Sequence, residues 1–243
     1  MLFNSIDFLV FLPTVFSLYW FVLGQNIKLQ NGLLLVASYF FYGWWDWRFL
    51  SLIVISSIVD YLVGIGLGKT EISWHRKLLL FSSLLVNLGF LGFFKYFNFF
   101  LDSLTDAFTV FGLPINSDRL NIILPVGISF YTFQTLSYSI DIYKKKITPT
   151  KDILAFFTFV SFFPQLVAGP IERASNLLPQ FFHKKEFLYK NISIGAKHII
   201  WGFFLKLVLA DRAAIYVDAV YNNVENHEGL SFIAATFLFA FQI

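Results

Sequence analysis

Of the 243 residues, 57% are hydrophobic and 14% charged, the net charge is +3, and cysteine is absent. A soluble domain of this length needs far more charge to cover its surface. Without cysteine these residues offer no disulfide, thiolate metal site or cysteine nucleophile.

The apolar residues arrive in blocks near 8–24, 30–45, 49–67, 77–94, 122–143, 153–168, 195–210 and 230–243. A helix of about 20 apolar residues crosses a hydrocarbon core about 30 Å thick, so the expected fold is an all-α polytopic membrane protein. One transmembrane domain is expected over residues 1–243. The first block follows MLFNSID, which has neither a basic n-region nor a small-residue cleavage site, so it stays as the first span. Basic residues gather in particular loops: Lys69, Arg76 and Lys77; Lys144, Lys145, Lys146 and Lys151; then Arg173, Lys184, Lys185, Lys190 and Lys197. Between them lie acidic loops, with Asp102, Asp106 and Asp118 in one and Asp211, Asp218, Glu225 and Glu228 in the other. This alternation is the positive-inside pattern of a bacterial inner-membrane protein, multi-pass, with its N-terminus outside. It is not the footprint of a nucleic-acid binder.

In chain order, the first span delivers Lys28 inside and the second returns to the WWDWR turn, whose Trp44, Trp45 and Trp47 suit the headgroup belt. A third span carries Asp60 and leads to the Lys69–Lys77 loop; Asp60 serves either function or packing against a neighbour. Gly64 and Gly68 have the spacing of close helix packing. The fourth span ends near Lys95, and an amphipathic piece at 97–111 is expected along the outer surface. The block at 122–143 opens with Pro125 and Gly127 and carries Ser129, Tyr131 and Gln134, which either line a channel or bond neighbouring helices. Asp141 lies one turn before Lys144 and Lys145, as an interfacial ion pair would place it.

The next stretch, FFPQLVAGPIER at 162–173, breaks an apolar block with two prolines, a glycine and a Glu-Arg pair. Were 153–168 to cross fully, the basic residues after it would fall outside and the later acidic loop inside. Pro164 removes a backbone donor, and Gly169-Pro170 favours a turn out of helix. Broken backbone at membrane depth is tolerated only where protein or a water-filled cavity satisfies its polar groups. The segment 153–173 therefore reads as a re-entrant hairpin lining a cavity; the other reading is a proline-kinked full span. A second amphipathic piece is expected at 175–190. The final block has about 14 apolar residues and no basic flank, so the chain is expected to stop within a helix.

His75, His183, His198 and His227 show no metal-ligand spacing, and no Gly-x-Ser-x-Gly elbow occurs. No metal is expected. Lys206 sits in mid-span, five residues before Asp211. It either faces a channel and binds an anionic group or snorkels to the nearer interface. Gln165, Glu172 and Arg173 flank the hairpin, and Arg173 suits either a donor phosphate or a structural or lipid contact.

ASYFFYGWWDWRFL at 37–50, FKYFNF at 94–99, ILPVGISFYTFQTLSYSIDIY at 123–143, FFPQLVAGPIER at 162–173 and KLVLADR at 206–212 occur in order. Together they resemble the membrane-bound O-acyltransferase family, in the branch that acetylates alginate and related polysaccharides. The resemblance implies tilted helices around a thin partition pierced by a channel. It implies an acyl donor such as acetyl-coenzyme A on the inner face, a polysaccharide acceptor outside, and a separate periplasmic partner protein. It also places Lys206 and Asp211 on a family motif. The family's catalytic histidine follows a later segment, and none of the four histidines here occupies its position. The residues therefore resemble the front part of such an enzyme, expected to be inactive alone. A transporter or flippase for a lipid-linked sugar would also use broken helices at a midplane cavity, though no inverted repeat is visible. A truncated, non-catalytic product is the third reading.

Overall fold

The computed structural model describes residues 1–110, 123–166 and 169–242, and every regular element among them is helical. Asp118 of the acidic 95–121 region, the Val167-Ala168 pair of the broken segment and the terminal Ile243 lie outside the described residues. The chain divides into two compact units, Met1–Lys184 and Lys185–Ile243.

In the first unit, α1 (Ile6–Ser17) starts where the Ser5 hydroxyl accepts the Phe8 amide, and it continues as a π-turn over Leu18–Val22. Helix α2 (Ile27–Asp46) starts at Asn26, whose Oδ1 accepts the Lys28 and Leu29 amides. It stops at the tryptophan turn, where Asp46 is extended and its carboxylate takes the Arg48 guanidinium. Helix α3 (Leu50–Lys69) leads back, and α4 (Ser73–Leu91) returns. Helix α4 does not end before the expected surface piece. It passes through a π-turn at Gly92–Tyr96 into α5 (Phe97–Val110), and Ser73–Thr109 is one apolar helix of 37 residues. At 1.5 Å per residue that is about 55 Å, too long to lie wholly within the hydrocarbon.

Helix α6 (Ile128–Tyr143) begins after Gly127, whose φ of 76° lies in the left-handed region. Residues 123–127 of the expected block are thus not helical. Beyond it come α7 (Ile153–Ser161), α8 (Phe163–Leu166) and α9 (Ala174–Leu177), the last running into a 3-10 turn over Leu178–Phe181. The expected amphipathic piece at 175–190 is not one helix: Leu177, Leu178 and Phe181 are buried and Ser175, Asn176, Pro179 and Gln180 exposed, but the helical part ends at Phe181 and residues 182–188 are irregular.

Helices α3, α4 and α6 pack mutually, and α7 lies between α2 and α3. Lipid tails are as apolar as leucine, so burial alone does little to join such helices; close packing and interhelical hydrogen bonds decide. Both are present. A Cβ on Gly64 would meet the Tyr138 ring at 2.6 Å, and one on Gly68 would meet Pro149 at 2.4 Å. Asp60 on α3 is completely buried, and its Oδ1 accepts from Ser83 on α4 and from Ser139 on α6 at 2.6 Å. Asn87 donates to Asp60 Oδ2 at 2.6 Å while its own Oδ1 accepts from Ser56 and Thr135. The packing role of Asp60 is therefore built from all three helices.

Arg76 closes one end of the bundle. Its guanidinium donates to the carbonyls of Leu67 and Thr70 at the end of α3 and of Ile142 and Tyr143 at the end of α6. A cation is favoured where two helix C-termini present unsatisfied carbonyls. Nearby, Lys145 pairs with Glu71, and Lys184 reaches Gln25 before α2. The basic loops at 69–77, 144–151 and 173–184 thus share one end of the first unit. Asp141 is buried at that end and forms no ion pair with Lys144 or Lys145 among the described residues.

In the second unit, Tyr189–Tyr221 is a continuous apolar helix of 33 residues. It comprises α10 (Tyr189–Phe204), a π-turn over Leu205–Ala210, and α11 (Asp211–Tyr221). Helix α12 (Gly229–Gln242) folds back on α11, with Val217, Val220 and Ala235 buried between them. The Tyr221 and Thr236 hydroxyls bond at 2.8 Å. These long apolar helices and those of the first unit make this a multi-pass membrane protein.

Candidate functional site

The broken segment supplies the centre of the site. Thr150 and Ala174 both line one groove at the basic end, so the chain leaves that end along α7 and returns to it. Among the described residues the far point is Leu166, whose carbonyl sits against Gly127 at the opposite end of α6, leaving no room there for a Cβ. Helices α7 and α8 together span only Ile153–Leu166, short of a full crossing. This is the re-entrant path expected from the charges.

A continuous helix would join the Phe163 amide to the Phe159 carbonyl. Pro164 has no amide for the Val160 carbonyl and its ring would clash with that turn, so the helix stops one turn short of a continuous path: Phe162 takes ψ 104° and α8 restarts at Phe163. Two side chains then satisfy the orphaned pair. Ser38 on α2 accepts the Phe163 amide at 3.1 Å and donates its own hydrogen to the Leu34 carbonyl. Gln134 on α6 donates to the Phe159 carbonyl at 2.7 Å. Asn31 at the start of α2 fixes both arms: its carbonyl accepts from Thr158 and its amide donates to the Phe181 carbonyl.

Around this break the structure gathers part of the expected set. The Gln134 amide lies 3.5 Å from Gln165 Oε1. Tyr131, one turn earlier on α6, is fully buried, and its hydroxyl has no hydrogen-bond partner among the described residues. The same holds for Tyr42 on α2, which belongs to the same buried cluster. Ser129 accepts from Lys95 at 3.4 Å. Glu172 and Arg173 stand elsewhere, at the start of α9. The Glu172 carboxylate accepts from Asn176 at 2.8 Å, and the exposed Arg173 guanidinium has no partner among the described residues. Lys206 and Asp211 belong to the second unit, where they form an ion pair across the π-turn. Lysine in a π-turn recurs at Lys95, and such turns concentrate at functional positions.

Ser38, Asn31 and Tyr42 were missed in the sequence because single polar residues on an apolar helix read as ordinary interhelical bonds. Arg76 read only as loop charge. Outside the spans, the Lys145 ammonium hydrogen-bonds Glu71 and holds that carboxyl below its ordinary value of 4.5. His183 Nδ1 bonds the Pro179 carbonyl at 2.9 Å, and no group of three metal-ligating side chains occurs among the described residues.

The chain has relatives among known proteins. A protein of Pseudomonas syringae named as a probable alginate O-acetylase is 40% identical over 90% of this chain and 42% of its own length. One of Pseudomonas aeruginosa with the same name is 38% identical over 90% of this chain and 41% of its own. These names agree with the resemblance of the ordered motifs to membrane-bound O-acyltransferases. A Helicobacter pylori peptidoglycan O-acetyltransferase is 36% identical over 97% of the chain and 49% of its own length. The chain thus spans somewhat under half the length of the curated relatives it matches. No family model matches it, and no solved structure matches it significantly.

Proposed function

We propose that the protein is a membrane-embedded O-acyltransferase that passes an acetyl group across the bilayer to a hydroxyl of a cell-surface polysaccharide. The similarity to named O-acetylases over nine-tenths of the chain carries this reading. The capped helix break supports it, because a path for an acyl group needs polar side chains at membrane depth.

In the proposed reaction the acceptor oxygen attacks the carbonyl carbon of a thioester donor, for which acetyl-coenzyme A is the candidate. A C–O bond forms, the C–S bond breaks, and the hydroxyl proton passes to a base that returns it to the departing thiolate. The family resemblance assigns that base to a histidine that is none of the four here. These residues are proposed to form one transmembrane domain that shapes the path. Ser129, Tyr131 and Gln165 line it near the break. Glu172 and Arg173 meet the donor at the basic end, and Lys206 with Asp211 holds an anionic group. The basic end faces the cytoplasm of an inner membrane, the N-terminus lies outside, and a periplasmic protein partner takes the acetyl group onward. No nucleic acid takes part.

Deleting the complete gene is expected to remove ester-linked acetyl groups from the surface polymer, measured after mild alkaline release. Restoring it with Lys206→Met should return an inserted protein and only part of the acetyl content. Polymer that keeps its acetyl groups but is no longer exported would overturn the transferase in favour of a lipid-linked-sugar transporter.

A further inference from the structure

At the basic end, loop 144–152 and the α9 turn enclose a groove of about 410 Å³. Lys146, Thr148 and Ser175 give it polar walls, while Leu178, Pro179 and Phe182 give it an apolar floor. The groove is preformed. Pro149 is wedged against Gly68, the Thr150 amide donates to the buried Tyr138 hydroxyl at 3.1 Å, and Tyr61 donates to the Lys151 carbonyl at 2.8 Å.

Its charge is one-sided. Lys145, with a left-handed φ of 56°, is consumed by Glu71. Lys144 and Lys146 are exposed and have no ion-pair partner among the described residues. The carboxylates of this end are engaged or withdrawn: Asp152 caps α7 through the Ala155 amide, Glu172 accepts from Asn176, and Asp141 is buried.

We propose that this groove binds the phosphate headgroup of an anionic phospholipid. The phosphate meets the Lys146 ammonium and the hydroxyls of Thr148 and Ser175, and the glycerol and first acyl carbons follow Leu178 and Phe182. Position favours a lipid as the occupant. The groove lies where α3 and α6 end, as a headgroup site at the end of spanning helices would, and Phe182 in its wall offers exposed apolar surface. Basic pockets between transmembrane helices are a recurrent way to hold such headgroups. The proposal does not rest on the acetyl-transfer reading.

The test titrates short-chain phosphatidylglycerol or phosphatidylcholine into the detergent-solubilised full chain and follows thermal unfolding by tryptophan fluorescence. Phosphatidylglycerol is expected to stabilise the protein and phosphatidylcholine not to. Lys146→Gln should weaken the apparent affinity about fivefold, the worth of one lysine near an anionic surface. Ser175→Trp, which fills the groove from an exposed position, should abolish the effect. Lys28→Gln, at the same end but outside the groove, should leave it unchanged. Equal stabilisation by both lipids, or an equal loss with Lys28→Gln, would overturn a specific site. Stabilisation by coenzyme A that needs Lys146, with none from phosphatidylglycerol, would overturn the lipid as occupant.

Discussion

A charge at the centre of a span costs about 2.5–3.5 kcal/mol on insertion scales, and Asp60 offsets this with donors from two neighbouring helices. The sequence showed the cost but not the partners. Ser83, Asn87 and Ser139 are individually unremarkable, and only the crossing of α4 and α6 over α3 brings them to one carboxylate. Asp60→Ala leaves the buried Ser83 and Ser139 hydroxyls without their acceptor and Asn87 with only the Ser83 carbonyl, and is expected to cost about 3 kcal/mol. Asp60→Asn keeps one acceptor oxygen and should cost less. Melting followed by tryptophan fluorescence checks the order; an Asp60→Ala protein that melts with the wild type would remove the network as a determinant of packing. Glu71 behaves differently because it is exposed. Its carboxyl is held below 4.5 by Lys145, so the pairing contributes stability above that ordinary value. The contribution fades as pH falls through the lower folded value. The expected outcome is a small gap in melting temperature between wild type and Glu71→Gln at neutral pH that shrinks as pH falls below the ordinary value of 4.5, and a gap that widens on the acid side would reverse the sign.

The broken helix shows how far an element can be read before its partners are known. Pro164 and Gly169-Pro170 announce a break, and the basic flanks announce a return to the same end. What closes the break is tertiary: Ser38 stands 125 positions from Phe163, and Gln134 stands 25 from Phe159. Local pattern carries no signal for such pairs. It also failed at Gly92–Tyr96, where a π-turn lets α4 run on into α5 although the change in amphipathicity suggested a separate piece. Ser38→Ala and Gln134→Leu each strip one orphaned backbone group of its partner, at about 1–3 kcal/mol apiece. Because both caps serve one break, the double variant is expected to lose less than the sum of the singles. Additive losses in a double-mutant cycle would mean that the two caps act independently.

At the scale of the molecule, charge placement and chain path agree without having been derived from one another. Arg76 bonds the ends of α3 and α6, Lys145 pairs with Glu71, and Lys184 reaches Gln25. These contacts collect the loops that the positive-inside pattern assigns to the cytoplasm, while the Asp46–Arg48 turn lies one helix length away. These 243 residues contain no cysteine, so an introduced thiol is the single one they offer for labelling. Cysteines at Lys144 and Lys184 should react with an impermeant maleimide only after the inner face is opened. One at Trp47, which is exposed, should react from outside in intact cells. The Lys184 position decides the matter, because a full crossing by 153–168 would carry it to the outer face and a hairpin would not. Labelling at Lys184 from outside would therefore turn the hairpin into a span and move the groove and Arg173 away from any cytoplasmic donor. Protection of both lysine positions with reaction at Trp47 leaves the capped break as the floor of a path open to the opposite face.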